Sequence, residues 1–295
     1  MKKFAVAIHG GAGASRALVY DQHREHLLSL LEQARAMLRG GDRALDVAQS
    51  IVADMEVSGL YVAGRGGSPN LAGDYELEAC LMDGTSRRAG AVASLRGFKS
   101  PIGVARLVMR TTPHVLLVGE GAETFADEHG CPRIEATDWF THAGDGESNH
   151  PATCLSKGTA GAAVLDGFGN LAAATSSAGL FGKRPGRVAD SSLPGSGTFA
   201  DDQVAVSCTG QGELFIQAAA AAGVAFRLRS GETLERACAD VLADVLRCGG
   251  EGGLIAVDRS GRIAMPYVAE GMKRAVLTVD GQIGVAIFDE ALPVS

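Results

Sequence analysis

The pattern of apolar and polar positions divides the chain into amphipathic helices and short apolar strands. Leucine and alanine recur at helical spacing from about Asp21 to Leu38, and two glycines follow, so we predict a helix that ends there. A second helix with the same spacing follows directly, with Asp42 as its expected N-cap. Helical spacing recurs at three further places: 101–110, 213–228 and 233–246.

Short apolar runs bounded by Gly, Pro, Asn and Asp predict the strands. The first run ends at Ile8, and a hairpin that begins at Thr159 turns at 166–170. The other predicted strands are 75–82, 89–95, 115–118, 171–176, 203–209, 254–257, 263–265, 276–279 and 283–288. Small apolar residues on both strand faces, paired helices in each half and hairpin connections predict two packed sheets with helices outside, an α+β or four-layer α/β fold.

A polar segment separates the two halves of this pattern. Periodicity disappears from about residue 137 to residue 158, where acidic residues, glycine, asparagine, histidine, proline and serine dominate. The strand pattern resumes at Thr159, directly after Gly158. This segment is therefore the best candidate for a linker.

Composition and charge narrow the classes of partner. The 295-residue chain is 46% hydrophobic, and its net charge of −7 argues against nucleic acid or an anionic membrane as a main partner. There is no 18-residue apolar window, and the N-terminal apolar run stops too early for a signal peptide, so we expect a cytoplasmic protein without a membrane partner. The six cysteines lack CxxC spacing and the histidines lack zinc-site spacing, so we expect no such metal site.

Thr159 is a candidate nucleophile because of its place behind the linker. A threonine hydroxyl needs an adjacent base, and its own α-amino group can serve if the chain is cut before it. A free α-amine has a pKa of about 7.7–8.0, so part of it is unprotonated at neutral pH. A Gly-Thr step before a strand is common, however, so the pattern alone leaves an ordinary strand start open.

Two later segments are candidates for binding. Arg187 and Asp190 lie close together in the chain and could hold the carboxylate and ammonium of an α-amino acid, or form an ion pair within the loop. The segment 208–213 joins a strand to a helix, where backbone N–H groups are natural oxyanion donors. A glycine-rich turn at such a place also needs no function.

A set of short segments follows one order along most of the chain. They are 8–13, 81–84, 89–93, 113–115, 119–123, 158–162, 169–176, 185–188 and 206–210. In sequence, order and spacing they resemble one family, the plant-type L-asparaginase/isoaspartyl peptidases, which are N-terminal-nucleophile hydrolases. Each segment is a weak signal, whereas their shared order is highly specific. Gly158, rather than Asp, before the nucleophile resembles the asparaginase branch.

The resemblance implies a single domain over 1–295 with a four-layer αββα sandwich. It implies self-cleavage between Gly158 and Thr159, giving an α chain (1–158, with the linker at about 141–158) and a β chain (159–295) that stay together as (αβ)2. It also implies cleavage of β-aspartyl dipeptides and L-asparagine through a covalent aspartyl-Thr159 intermediate. No cofactor is expected, apart from a possible structural sodium bound by backbone carbonyls near 55–64.

Residue roles implied by the resemblance follow by position. The catalytic residues would be Thr159 as nucleophile, Ser177 as its helper, and Thr209 with Gly210 as the oxyanion hole. The substrate-binding residues would be Arg187, Val188, Ala189, Asp190, Thr209, Gly210, Gln211 and Gly212. The first alternative is a slowly cleaving or non-catalytic relative that binds a small ligand. The second is a glycine-loop module for a small anion, and the missing phosphate motifs count against it.

Three positions depart from the family pattern. Ser177 stands where a second threonine is usual, so it keeps the hydroxyl and loses the methyl group that restricts χ1. Ala178 stands where glycine is frequent, and Val62 stands where asparagine is common. We expect activity to survive the serine, and we expect Val62 to alter the loop near 55–64 and one active-site contact.

Overall fold

Two β-sheets pack face to face in the computed structural model, which describes residues 3–141 and 158–294. In chain order the strands are β1 (Ala5–His9), β2 (Leu77–Asp83), β3 (Ala89–Leu95), β4 (Leu116–Val118), β5 (Ala160–Leu165), β6 (Leu171–Ser177), β7 (Thr198–Ala200), β8 (Val204–Gly210), β9 (Gly252–Asp258), β10 (Ile263–Ala264), β11 (Tyr267–Val268), β12 (Arg274–Leu277) and β13 (Ile283–Ala286).

The strand orders put the two ends of the chain into one sheet. The larger sheet has the order β13-β12-β1-β5-β6-β2-β3-β4, and the smaller has the order β10-β9-β8-β7, with β11 also paired to β9. Within the larger sheet β3 and β4 run parallel, and the other neighbours are antiparallel. The predicted hairpin is formed by β5 and β6, at the centre of the larger sheet.

Helices cover the outer face of each sheet. In chain order they are α1 (Asp21–Gly40), α2 (Ala44–Ser58), α3 (Pro101–Thr111), α4 (Gly119–Glu128), α5 (Ala136–Trp139), α6 (Gly212–Gln217), α7 (Ala220–Arg229) and α8 (Leu234–Arg247). The first three pack on the larger sheet, and α7 and α8 pack on the smaller one. The predicted four-layer αββα architecture is confirmed.

Alternation along β5 shows how both faces of the larger sheet are buried. Ala160, Ala162 and Val164 pack in the apolar cluster under the first helices. Ala163 and Leu165 pack in the cluster between the sheets and beneath α7 and α8. Successive side chains of a strand point to opposite faces, so a strand buried on both sides reads as a continuous apolar run.

Two predictions about helix ends are wrong. The N-cap of α2 is Arg43 rather than Asp42, and the first amide of the helix, Ala44 N, donates to Asp166 Oδ2 at 3.0 Å. The helix predicted over 213–228 is two helices, α6 and α7, which are separated at Ala219 by a left-handed backbone with φ of 46°. In both places a distant segment supplies the hydrogen bonds.

Some short elements have no counterpart in the predicted pattern. They are α4, β7 and β11, and α5 lies at the start of the predicted linker. Residues 142–157 of that linker lie outside the described residues. Within the described part of the chain, no helix is both long and apolar enough to cross a membrane.

Candidate active site

Thr159 stands directly before β5, where three neighbouring strands carry polar side chains in one row. Ala160 pairs with Ser176, so the same register continued by one residue places Thr159 opposite Ser177. Ser177 in turn pairs with Glu78 of β2. Because side chains alternate, the three polar residues share the face that is turned to the smaller sheet. All three are buried, with exposed fractions of 6, 3 and 2% in the order of the row from Thr159.

A small cavity opens at Thr159 and gathers residues from distant parts of the chain. It is lined by Gly158, Thr159, Ser177, Gly179, Leu180, Arg187, Ala189, Asp190 and Gly210. The structure therefore brings together most of the residues that the sequence points to. Their roles in catalysis and binding stay predictions.

Four of the predicted residues do not line this cavity. Thr209 lies beside Gly210 on β8, and its buried Oγ1 has no hydrogen-bond partner among residues 3–141 and 158–294. Gly212 packs against the Asp190 segment so closely that an added Cβ would stand 2.9 Å from Asp190 Oδ1. Gln211 Oε1 accepts from the backbone N–H of residue 251 at 3.0 Å, and Val188 is half-buried.

The guanidinium of Arg187 is held by Glu213. Its Nε and Nη2 donate to the two carboxylate oxygens of Glu213, both at 2.8 Å. The alternative of an ion pair with Asp190 is therefore wrong for the described structure. A bidentate pair of this kind fixes the plane of the guanidinium. Glu213 is the last residue of the segment 208–213, but no local sequence pattern connects it to Arg187.

Asp190 is a buried carboxylate with an unsatisfied oxygen. Among the described residues, its Oδ2 has no hydrogen-bond partner. Burial raises its pKa well above the usual range, the charge of Glu78 raises it further, and Arg187 opposes this shift. A ligand ammonium placed here would supply both the missing donor and a compensating charge.

Two glutamates at the start of β2, Glu76 and Glu78, hold the segment 183–192, which we call the 183–192 loop. Glu76 Oε1 accepts from Gly186 N at 2.8 Å, and the Glu76 carbonyl accepts from Lys183 Nζ at 2.7 Å. Glu78 Oε2 accepts from Ala189 N at 2.9 Å. Neither glutamate was predicted from the sequence as a site residue. The signal that could have found them is two acidic residues, two positions apart, in an apolar strand run.

A polar layer lies between the sheets, two residues further along the strands from Thr159 and Ser177. His9 Nε2 is 2.8 Å from Ser207 Oγ, which is 2.7 Å from Thr175 Oγ1, and Thr198 Oγ1 is 2.6 Å from Thr175 Oγ1. Burial lowers the pKa of His9 to about 3, and the nearby Thr159 backbone only partly offsets this. The histidine is therefore neutral near pH 7 and serves as a hydrogen-bonding group.

Val62 and Ala178, two of the three positions that depart from the family pattern, contact one another beside the candidate cleavage position. Ala178 N donates to the Val62 carbonyl at 2.9 Å, and both side chains belong to one small apolar cluster. Gly158 packs on the same valine, and a Cβ added to it would stand 2.5 Å from Val62 Cγ2. With Val62 in this place, only glycine fits before Thr159.

Known proteins resemble this chain over most of its length. A family model described as Asparaginase matches residues 2–287. The chain belongs to the asparaginase family. The chain is similar to an isoaspartyl peptidase of Salmonella typhimurium. The two are 44% identical over 93% of this chain and 95% of the relative's length. An isoaspartyl peptidase of Escherichia coli is 43% identical over 93% of both chains. A plant-type L-asparaginase of Pyrobaculum calidifontis is 38% identical over 91% of this chain and 95% of its own length.

The sodium ion expected from the resemblance concerns the backbone carbonyls near 55–64. Hard cations prefer oxygen ligands, and backbone carbonyls supply them. The carbonyls of Gly59 and Tyr61 both face Gly66, where an added Cβ would stand 2.9 and 2.1 Å from them. The Tyr61 carbonyl also accepts from Ala63 N at 2.7 Å, and sodium binding at this loop stays a prediction.

Proposed function

We propose that the chain is a threonine hydrolase that cuts itself between Gly158 and Thr159 and then cleaves β-aspartyl dipeptides and L-asparagine. The observation that carries this proposal is one small cavity lined by Thr159, Arg187 and Asp190. The carboxylate and ammonium of an L-aspartyl head group match the latter two. The relatives named isoaspartyl peptidase and plant-type L-asparaginase support this substrate class.

Self-cleavage would turn a peptide nitrogen into a base. In the uncut chain the nitrogen of Thr159 belongs to the Gly158–Thr159 peptide bond. Thr159 Oγ1 attacks the Gly158 carbonyl carbon, an ester forms as the C–N bond breaks, and water hydrolyses the ester. The α-amine that remains has an unperturbed pKa of about 7.7–8.0, so it can accept a proton near neutral pH.

Turnover would use that amine twice. It takes the proton of Thr159 Oγ1 as this oxygen attacks the side-chain carbonyl of the substrate, and the proton then passes to the leaving amine. The Thr209 hydroxyl, buried and without a partner in the described structure, and the Gly210 N–H would stabilise the oxyanion. Water activated by the same amine hydrolyses the aspartyl-Thr159 ester.

Ser177 would assist the nucleophile from the next strand. Its Oγ accepts a hydrogen bond from Gly179 N at 3.0 Å, which leaves its own O–H as a donor. A hydroxyl that donates to Thr159 Oγ1 would orient one of its lone pairs. The serine therefore keeps the chemistry of the threonine that is usual in the family.

Substrate selection follows from the head group. The leaving group is not held by Arg187 or Asp190, so both ammonia and an amino acid can depart. A dipeptide adds contacts that ammonia cannot make, so kcat/KM should favour β-Asp-Leu over L-asparagine. L-Glutamine should be poor, because one more methylene displaces its carbonyl from a nucleophile fixed on a strand.

Mass spectrometry and kinetics together test this proposal. Cutting the 295-residue chain after residue 158 should leave a second chain of 137 residues. Initial rates with β-Asp-Leu, L-asparagine, L-glutamine and α-Asp-Leu should fall in that order, with α-Asp-Leu as the control for the β-linkage. Equal hydrolysis of the α- and β-linked peptides would overturn the head-group assignment, and full activity of an uncut chain would overturn the mechanism.

The remaining expectations concern assembly and location. The relatives' names do not favour the non-catalytic alternative, which predicts one band on a denaturing gel and ligand binding without turnover. We propose an (αβ)2 assembly in the cytoplasm, with no nucleic-acid or membrane partner, in keeping with the net charge of −7. Light scattering coupled to size exclusion would measure the assembly directly.

A further inference from the structure

Glu78 connects the row of polar residues that includes Thr159 and Ser177 to the 183–192 loop. Its backbone pairs with Ser177, which lies next to Thr159 in the row. Its Oε2 accepts from Ala189 N at 2.9 Å and from Ser192 Oγ at 3.2 Å. These two donors flank Asp190 in the chain. One carboxylate therefore joins the strand that faces the nucleophile to the segment that carries the candidate ammonium-binding group.

The second carboxyl oxygen of Glu78, Oε1, makes no hydrogen bond to the described residues. Oε1 is buried and lacks a hydrogen-bond partner there, as does Asp190 Oδ2. A glutamine would offer the same acceptor to Ala189 N without bringing a charge into the interior. Because burying an incompletely paired carboxylate is unfavourable, the charge itself points to a task beyond holding the loop.

The charges around the pair couple Glu78 to Asp190. Burial raises the pKa of Glu78, and the cations Lys183 and Arg187 oppose this shift. Burial also raises the pKa of Asp190, the charge of Glu78 adds to the effect, Arg187 opposes it and Glu213 adds a smaller increase. Glu78 and Asp190 are thus electrostatically coupled beside the cavity, and a bound ammonium group would favour the ionised form of both.

We propose that Glu78 is a positioning residue that fixes Asp190 relative to Thr159 and adds negative charge beside the site of the substrate's α-ammonium group. It does not touch the reacting atoms. This inference rests on the proposed function, because it takes Asp190 as the group that receives the ammonium. It predicts that a change at Glu78 acts selectively on ligands that carry an ammonium group.

Two small ligands separate this role from a merely structural one. L-Aspartate carries the α-ammonium group, and succinate has the same two carboxylates without it. Calorimetric titration of cut protein should give a Kd for L-aspartate that is about tenfold higher in Glu78→Gln than in the wild type. The effect on succinate should be less than about twofold. A general loosening of the loop would weaken both ligands by the same factor.

Glu76 provides the matched control. It holds the same loop from the same strand edge, but its Oε1 accepts from Gly186 N, next to Arg187. Both ligands carry the carboxylate that Arg187 would bind. Glu76→Gln should therefore change the two dissociation constants by the same factor, in contrast to Glu78→Gln.

Ser192→Ala serves if Glu78→Gln does not fold or is not cut. It removes one donor to Glu78 Oε2 and leaves the charge in place. We expect a smaller weakening, about two- to threefold, again for L-aspartate and not for succinate. Equal changes for the two ligands, or no change in either variant, would overturn the inference.

Hydrolysis of β-Asp-Leu by the same wild-type preparation keeps the two proposals apart. A wild type that binds L-aspartate without hydrolysing the dipeptide contradicts the proposed function, and the comparison of variants still decides the role of Glu78. A wild type that neither binds L-aspartate nor hydrolyses the dipeptide overturns both, and one that hydrolyses the dipeptide without binding L-aspartate overturns this inference alone. If the wild type hydrolyses the dipeptide and L-aspartate binding is unaltered in Glu78→Gln and Ser192→Ala, this inference alone is overturned.

Discussion

The nucleophile and the head-group residues reach the same cavity by two different means. Thr159 is placed by the backbone, because β5 is paired on one side with β1 and on the other with β6. Arg187 and Asp190 lie in the 183–192 loop, which side chains hold in place. The guanidinium of Arg187 depends further on Glu213.

This difference separates two kinds of precision. A residue at the start of a central strand inherits its position from many ladder hydrogen bonds, and no single side chain can release it. A loop held by a few carboxylates can be displaced by one substitution. The chemistry therefore depends on the fold, whereas recognition depends on a small number of replaceable contacts, and the following predictions test that division.

Removing the nucleophile should have the largest effect. Thr159→Ala should remain one 295-residue chain and lose activity by on the order of 10⁴–10⁶-fold, because it lacks the hydroxyl that forms the ester. Thr159→Ser is the control, since it keeps the hydroxyl and should still be cut. A Thr159→Ala protein that hydrolyses β-Asp-Leu at the wild-type rate would show that this row does not carry the chemistry.

Removing the guanidinium should come next. Arg187→Ala should leave the chain folded and cut, and should cost about 2–5 kcal/mol of substrate binding, mainly as a higher KM for β-Asp-Leu. Glu213→Gln keeps the guanidinium and loses an ion pair with an exposed partner, so it should cost at most about 1 kcal/mol. If Arg187→Ala had unchanged kinetics, the arginine would serve only the loop.

Crowding the cleavage position should have an intermediate effect. An alanine at Gly158 meets Val62 Cγ2 at 2.5 Å, so Gly158→Ala should slow self-cleavage and destabilise the precursor by about 1–3 kcal/mol. Val62→Ala removes that methyl group, and the double variant should regain part of the cleavage rate. The time course of cutting on denaturing gels measures both, and equal rates in the single and double variants would contradict the steric explanation.

The smallest effect is expected on stability. The native pKa of Asp190 is raised above its unfolded value of about 3.9, so its contribution to stability is present at lower pH and lost as the pH rises through the native pKa. In the uncut Thr159→Ala background, Asp190→Asn should therefore increase stability at pH 8 by about 1 kcal/mol and by less at pH 4.5. Urea unfolding at the two pH values measures this, and a destabilised variant at pH 8 would contradict it.

The sequence allowed prediction of the parts of the fold that local pattern determines. The two-sheet arrangement, the β5–β6 hairpin and α1 are each encoded by spacing and by glycine turns. The break at Ala219 is not, because it lies in a run of alanines and depends on Ser196 and its neighbour, whose carbonyls accept from the first amides of α7. Asp166 caps α2 from 122 positions away. No local signal reports such a partner.

The candidate site divides in the same way. Thr159 follows from its place at a strand start, whereas Ser177 and the grouping with Arg187 and Asp190 come from the resemblance. The partner of Arg187 does not follow, because it is chosen by the packing of one loop against another. The same holds for Glu78, whose importance depends on its strand neighbour as much as on its own position.

The strand order has a consequence for the cut protein. If the chain is cut after Gly158, the larger sheet alternates between the two pieces: β13 and β12 come from the second, β1 from the first, β5 and β6 from the second, and β2, β3 and β4 from the first. The strands of the two pieces are therefore interleaved in one sheet, and three pairs of neighbouring strands (β12–β1, β1–β5 and β6–β2) join one piece to the other. Dissociation would then require unfolding of the sheet, so cutting would be irreversible maturation rather than the first step of disassembly.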